Sequence, residues 1–208
     1  MAKDQAHFGK AYSLETPQQT RDHYRAWAET YDQEIGAENE YAQPARVADA
    51  LVRHGAVSDA AVLDAGCGSG LSGVALLQAG FVHIDGCDFS PEMLAKAAEK
   101  NVYRSLLEAD LNSPLTAFES EAYACVVAVG VFSFGHVSPD ACEELLRVLA
   151  PDGLLVIAVN EQFWNKGTLE AKLDDLASQA KIDIAEKQFG EHLPGHDVKG
   201  WVIVARKR

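Results

Sequence analysis

Val62-Leu63-Asp64-Ala65-Gly66-Cys67-Gly68-Ser69-Gly70 runs directly into Leu71-Ser72-Gly73-Val74-Ala75-Leu76-Leu77. Two apolar residues, an acid, three alternating glycines and a second apolar run read as strand, tight turn and helix. Glycines let the backbone turn sharply and let a ligand approach without meeting a Cβ atom. A helix opening at such a turn leaves its first amide N–H groups free for a ligand. The unit reads as a cradle for a nucleotide-like ligand.

Working outward, the same strand–helix rhythm repeats. Residues 82–88 form a second strand, and Phe89-Ser90-Pro91-Glu92 starts a helix with Ser90 as N-cap and Pro91 at the first helical position. A third strand spans about 102–109. Residues 122–129 are almost wholly apolar, as a strand buried on both faces of a parallel sheet must be. A helix at 139–149, a strand at 154–159 and a helix at 168–180 follow. Two successive strands, about 182–189 and 201–205, have no helix between them and read as an antiparallel pair at the sheet edge, joined by the polar 190–200 segment. Before the glycine turn lie two helices, about 18–31 with Tyr24, Trp27, Ala28 and Tyr31 on one face, and about 41–54 with Val47, Ala48, Leu51 and Val52 apolar. The expected architecture is α/β: a doubly wound, mostly parallel seven-stranded sheet with an antiparallel edge strand and an N-terminal helical cap. The division expected is a tail and cap over residues 1–40, and one domain over 41–208.

The 208 residues are 48% hydrophobic and 24% charged, enough for one full core. A net charge of −13 repels phosphate backbones, which argues against a nucleic-acid substrate. The four cysteines form no Cys-x-x-Cys pair, so reduced thiols are expected rather than disulfides or a zinc site. With no apolar run of 18 residues and a polar opening segment, the expectation is a cytoplasmic protein with no membrane partner. The sequence assigns no oligomeric state.

Gly68-x-Gly70-x-x-Gly73 has the spacing of a dinucleotide fingerprint. Asp64 separates the possible ligands. A carboxylate beside two phosphates in a partly desolvated crevice costs energy, and no Lys or Arg occurs between His54 and Lys96 to neutralise them. A ligand with positive charge and no phosphate suits the turn better, and S-adenosylmethionine, with an ammonium and a sulfonium, is such a ligand. Asp88, at the end of the second strand, is placed to accept two ribose hydroxyls, which serves either cofactor.

Three stretches together carry a family resemblance: residues 62–70, Gly86-Cys87-Asp88-Phe89-Ser90-Pro91-Glu92-Met93-Leu94, and Leu149-Ala150-Pro151-Asp152-Gly153-Leu154-Leu155. They resemble the successive motifs of class I S-adenosylmethionine-dependent methyltransferases, which have a Rossmann-like fold. Within that superfamily the chain is similar to the methyltransferase-like proteins of the Williams–Beuren chromosomal region, through Trp27-Ala28-x-x-Tyr31-Asp32 and Gly80-Phe81. The likeness spans residues 27–160. It implies that Asp64, Gly66, Cys67 and Gly68 line the methionine and ribose side of the cofactor. By the same resemblance Asp88 binds the ribose, Phe89 and Met93 pack on the adenine, and Asp110 and Leu111 hold its edge. Gly130 and Val131 then sit beside the methionyl amine, and Tyr31 closes over the ligand. Read from the residues alone, Phe89 and Met93 suit helix-core packing as well, and Asp110 suits a plain turn. Asp152 stands where a glycine is commoner in the family.

Methyl transfer needs alignment and exclusion of water more than any fixed side chain. A general base is required only for a protonated acceptor. The candidates are His136 and Glu161 in the loops after the fourth and fifth strands, then His23, Asp32, His192 and His196. Phe132, Phe134, Phe163 and Trp164 in the same loops suggest an aromatic pocket for a small, neutral or cationic acceptor. Two alternatives stay open: an NAD-dependent oxidoreductase, which Asp64 opposes, and an S-adenosylmethionine-binding protein without catalysis.

Overall fold

The apolar pair of the opening stretch lies in β1 (Ala61–Ala65), with Val62 and Leu63 both 0% exposed. The structure is a computed structural model that describes residues 17–38, 40–133 and 136–208. Strand β1 has neighbours on both sides and helices on both faces, so both of its alternating side-chain directions are apolar.

The sheet has seven strands in the order β3-β2-β1-β4-β5-β7-β6. These are β1, β2 (His83–Asp88), β3 (Ser105–Glu108), β4 (Tyr123–Val129), β5 (Leu149–Asn160), β6 (Ile182–Leu193) and β7 (Val198–Lys207). The first five run parallel, and β7 is antiparallel to both β5 and β6. Chain order reverses between β1 and β4, which makes the carboxyl ends of those strands the place where an open α/β sheet binds a ligand.

Helices α2 (Gln43–Arg53) and α3 (Leu71–Gln78) cover one face through Val47, Leu51 and Leu76. The other face is covered by α5 (Cys142–Val148) and α7 (Thr168–Ser178), through Leu145, Leu169, Leu173 and Leu176. Between them in the chain come α4 (Pro91–Glu99), capped by Ser90 as expected, and the one-turn α6 (Glu161–Trp164), which the sequence reading did not separate. Asn160 caps α6, its Oδ1 accepting the Phe163 N–H at 2.8 Å. Helix α1 (Pro17–Trp27) ends four residues earlier than expected, and a π-helical stretch, Asp32–Glu38, follows a short turn.

Three expectations change. Val52 is 51% exposed, because the buried stripe of α2 runs through Val47, Ala48 and Leu51. The polar 190–200 segment is largely strand: β6 is the sheet edge, so alternate residues face water and look like a loop by composition. The turn Pro151-Asp152-Gly153 lies inside β5, where Asp152 takes φ 60°. A Cβ on Gly153 would stand 2.8 Å from the Ala124 carbonyl oxygen, so this turn needs glycine at its second position rather than at Asp152.

Candidate functional site

The glycine turn is held from beneath by the end of β2. Gly66 and Cys67 donate their N–H groups to the Cys87 carbonyl at 2.8 and 2.9 Å. Gly66 has φ +75°, and a Cβ there would lie 2.5 Å from Val131 Cγ2 and 3.5 Å from Leu111 Cδ1. This one residue therefore brings the turn against the loops after β3 and β4. Gly70, in the left-handed region at φ 93°, is the N-cap of α3.

Asp64 is 0% exposed. Its Oδ2 accepts hydrogen bonds from Ser72 Oγ at 2.6 Å and from the Tyr103 hydroxyl at 2.7 Å, and its Oδ1 has no partner among the described residues. Burial pushes the carboxyl up to about 6; the two hydrogen bonds oppose this and the nearby Asp88 charge adds to it. Tyr103 was not found from sequence. Its hydroxyl accepts the Gly73 N–H at 3.1 Å, and a Cβ on Gly73 would lie 2.3 Å from that oxygen. The third glycine of the Gly-x-Gly-x-x-Gly spacing makes room for a tyrosine, not for a ligand. Its one trace in the sequence is a pair of glycines, Gly73 and Gly86, that flank the ring.

Asp88 folds back on the same turn. Its Oδ2 accepts Gly68 N–H at 3.0 Å and its Oδ1 accepts Ser90 N–H at 2.9 Å. Burial pushes it up to about 6, against the pull of N–H groups from Ser90, Gly68 and Phe89. A carboxylate has about four acceptor positions, so capacity for a diol is left.

Above the turn lies a cleft of about 300 Å³, open to solvent. Gly66, Cys67, Gly68, Ser69, Leu71 and Ser72 form its floor, and Tyr31, Tyr41, Pro44 and Val129 its walls. The Tyr41 hydroxyl abuts Gly130, where a Cβ would meet it at 2.6 Å. The Cys67 thiol is buried and pushed up, first by desolvation and then by Asp64 and Asp88, so it stays a neutral wall of the cleft.

Tyr31, Asp64, Gly66, Cys67, Gly68, Asp88, Leu111, Gly130 and Val131 are thus brought together. Three further expected residues are defined by their local surroundings. Asp110 Oδ1 accepts the Asn112 N–H at 2.9 Å, an Asx turn. Met93 is 1% exposed, enclosed where α4 packs on the body, and Phe89 is half-buried. The expected aromatic pocket is corrected: Phe132, Phe163 and Trp164 are buried in the layer beneath α5 and α7, because their loops fold back onto the core. Phe134 lies outside the described residues. Tyr31 and Tyr41 supply the aromatic walls instead.

Among the candidate bases, His136 Nδ1 is 2.5 Å from Ser133 Oγ, and burial followed by the His23 charge pushes it down to about 4. His192, edge-on to Tyr41 at 5.3 Å, is pushed to about 4 by burial and then by Arg46. Both are neutral imidazoles at neutral pH. Glu161 opens α6 half-buried, and His196 is exposed. Asp32 is occupied by Ser69 and Lys100. Among the described residues, no group of three His, Cys, Asp or Glu forms a metal site, and no helix is long and apolar enough to cross a membrane.

Residues 62–153 match the family model described as methyltransferase domain, and the strand order with its cradle at the β1/β4 switch point is the Rossmann-like fold of solved methyltransferases. The chain is 34% identical over 158 residues to human methyltransferase-like protein 27, covering 74% of this chain and 64% of that protein's length. That relative bears out the Williams–Beuren resemblance. A Methanococcus maripaludis structure assigned as an S-adenosyl-L-methionine-dependent methyltransferase superposes with TM-score 0.68 at 17% identity, covering 88% of this chain and 93% of the other. Magnesium protoporphyrin IX methyltransferase from Synechocystis, solved with bound S-adenosylmethionine, gives 0.66 at 19% identity, with 92% and 96% covered. The Synechocystis enzyme is also solved with bound S-adenosylhomocysteine.

Proposed function

We propose that this chain transfers a methyl group from S-adenosylmethionine to a small-molecule acceptor, with residues 1–40 as tail and cap helix, of which 1–16 lie outside the described residues, and 41–208 as the catalytic unit. The observation that carries the reading is the orphaned Asp64 Oδ1 beneath a turn in which Gly66, Gly68 and Gly70 carry no Cβ. Such a floor fits a ligand with positive charge and no phosphate. When bound, that cofactor supplies a methyl carbon already activated by its sulfonium.

The residues of the chain then align and enclose. Gly66 to Gly68 would lie along the methionine and ribose portions, and Asp88 would accept the ribose hydroxyls. Asp110 and Leu111 would hold the adenine edge, and Gly130 and Val131 would sit beside the amine. Tyr31 and Tyr41 narrow the mouth and exclude water. A protonated acceptor would lose its proton to water or to a neutral imidazole such as His136. Proximity and orientation supply most of the rate. A net charge of −13 favours neutral or cationic acceptors and disfavours nucleic acid and anionic membrane surfaces. Four free, buried cysteines suit a reducing cytoplasm.

The test offers methyl-labelled S-adenosylmethionine with fractionated small metabolites and, separately, with bulk RNA. Label in a low-mass product is expected. Label in RNA alone overturns the acceptor class. No transfer to any acceptor by protein that binds S-adenosylhomocysteine overturns catalysis.

A further inference from the structure

Three ion pairs join the N-terminal segment to α4 at matched spacings. Arg25 Nε is 2.8 Å from Glu92 Oε1, Lys96 Nζ is 3.3 Å from Glu29 Oε2, and Lys100 pairs with Asp32. Positions 92, 96 and 100 recur every four residues along one face of α4 and its C-cap, opposite 25, 29 and 32. The charges specify register: a one-turn slip in either direction sets Arg25 against Lys96 or Glu29 against Glu92. The last pair does more than the others. Asp32 also accepts a hydrogen bond from Ser69 Oγ in the cleft floor, and the adjacent Tyr31 is a cleft wall. On the far side, Trp27 and Ile35 pack with Leu193 at the end of β6, and Tyr31 and Tyr41 lie against them. The segment is therefore ionic on the side facing α4 and apolar on the side facing the end of β6.

We propose that residues 25–35 are a strap across the cleft, closed by this ionic zipper, and that Asp32 is the positioning residue that couples closure to the glycine turn. This rests on the cleft being the cofactor site. Exposed ion pairs are individually weak and screened by salt, so such a strap opens without unfolding the body. Asp32 holds Ser69 and Lys100 together, so closing the strap also sets the floor against which the ligand lies.

The test is the dissociation rate of S-adenosylhomocysteine from the full chain, by stopped flow. Raising salt from about 0.05 to about 0.5 M speeds release, because the Debye length contracts from about 14 to about 4 Å and the exposed pairs are screened. Glu92→Arg speeds release roughly 1.5- to 5-fold, the range for an exposed pair. Adding Arg25→Glu restores the original rate. Asp32→Asn keeps an acceptor for Ser69 but loses the charge facing Lys100, and speeds release about 10-fold with a flatter salt dependence. Release independent of salt, or charge swaps that add without restoration, overturns the strap. Failure of the unaltered protein to bind S-adenosylhomocysteine at all overturns the cofactor-site reading instead.

Discussion

Asp64→Asn is expected to stabilise the protein at neutral pH and weaken cofactor binding. The carboxyl sits at about 6 where an ordinary one sits at 3.8. At about 1.36 kcal/mol per pH unit, that gap corresponds to about 3 kcal/mol. The sign follows from proton uptake: between 3.8 and 6 the native state holds a proton that the unfolded chain releases. Stability from this group is thus fully present below 3.8 and lost as pH rises through about 6. Asparagine keeps an oxygen for Ser72 and Tyr103 and never ionises. Urea unfolding of both proteins at a series of pH values should therefore show a difference that widens by about 2 kcal/mol from pH 4 to pH 7, in favour of the asparagine variant. Taking the difference between proteins removes the other titrating groups. Calorimetry on the same pair should show affinity falling by about 10-fold or more, about 1.4 kcal/mol. The loss should be larger for S-adenosylmethionine, with two positive centres, than for S-adenosylhomocysteine with one. A stability difference that stays constant across pH would refute the burial account. Unchanged affinity would make Asp64 purely structural.

Gly73→Ala places a Cβ 2.3 Å from the Tyr103 hydroxyl and should cost about 1–3 kcal/mol in thermal or urea unfolding. In a Tyr103→Leu background that cost should fall by more than half, and full additivity would place the clash elsewhere. His192 has the opposite pH sense to Asp64. Its depressed value of about 4 means that its contribution is present above 6.5 and lost as pH falls toward 4, about 3 kcal/mol in all. His192→Gln should flatten the acid limb of stability against pH, and an unaltered limb would show the imidazole to be solvated.

The fold was legible wherever a local rule and the tertiary demand coincide. The 62–77 stretch carries its turn in its glycines, Ser90-Pro91 starts α4 as an isolated helix would, and 122–129 is apolar because β4 is buried on both faces. Legibility failed where tertiary context alone assigns the role. Tyr103 sits in the unremarkable run Asn101-Val102-Tyr103-Arg104, and only strand order brings its hydroxyl to Asp64. Tyr41 and Pro44 begin an ordinary amphipathic helix, and nothing local says that its first turn faces the glycine turn. The loop aromatics misled for the converse reason. Apolar residues near a mouth read as a pocket, but burial drives Phe132, Phe163 and Trp164 down into the core.

Asp64 shows why sign of charge was readable from sequence while geometry was not. Its position before the glycines already opposes a phosphate, whatever its side chain touches. In the fold it lies beneath the turn at 0% exposure and shares that space with Asp88. Two carboxyls pushed to about 6 in one neighbourhood are a standing cost to the folded protein. Tyr103, Ser72 and the backbone N–H groups of Gly68 and Ser90 hold that cost down by donating to three of their four oxygens. The oxygen left over is Asp64 Oδ1, and a cationic ligand is the partner that lowers both the desolvation and the repulsion terms at once. Stability alone gives no reason for an ionisable acid there, since an amide would hold the same hydrogen bonds; attraction for a positively charged cofactor does.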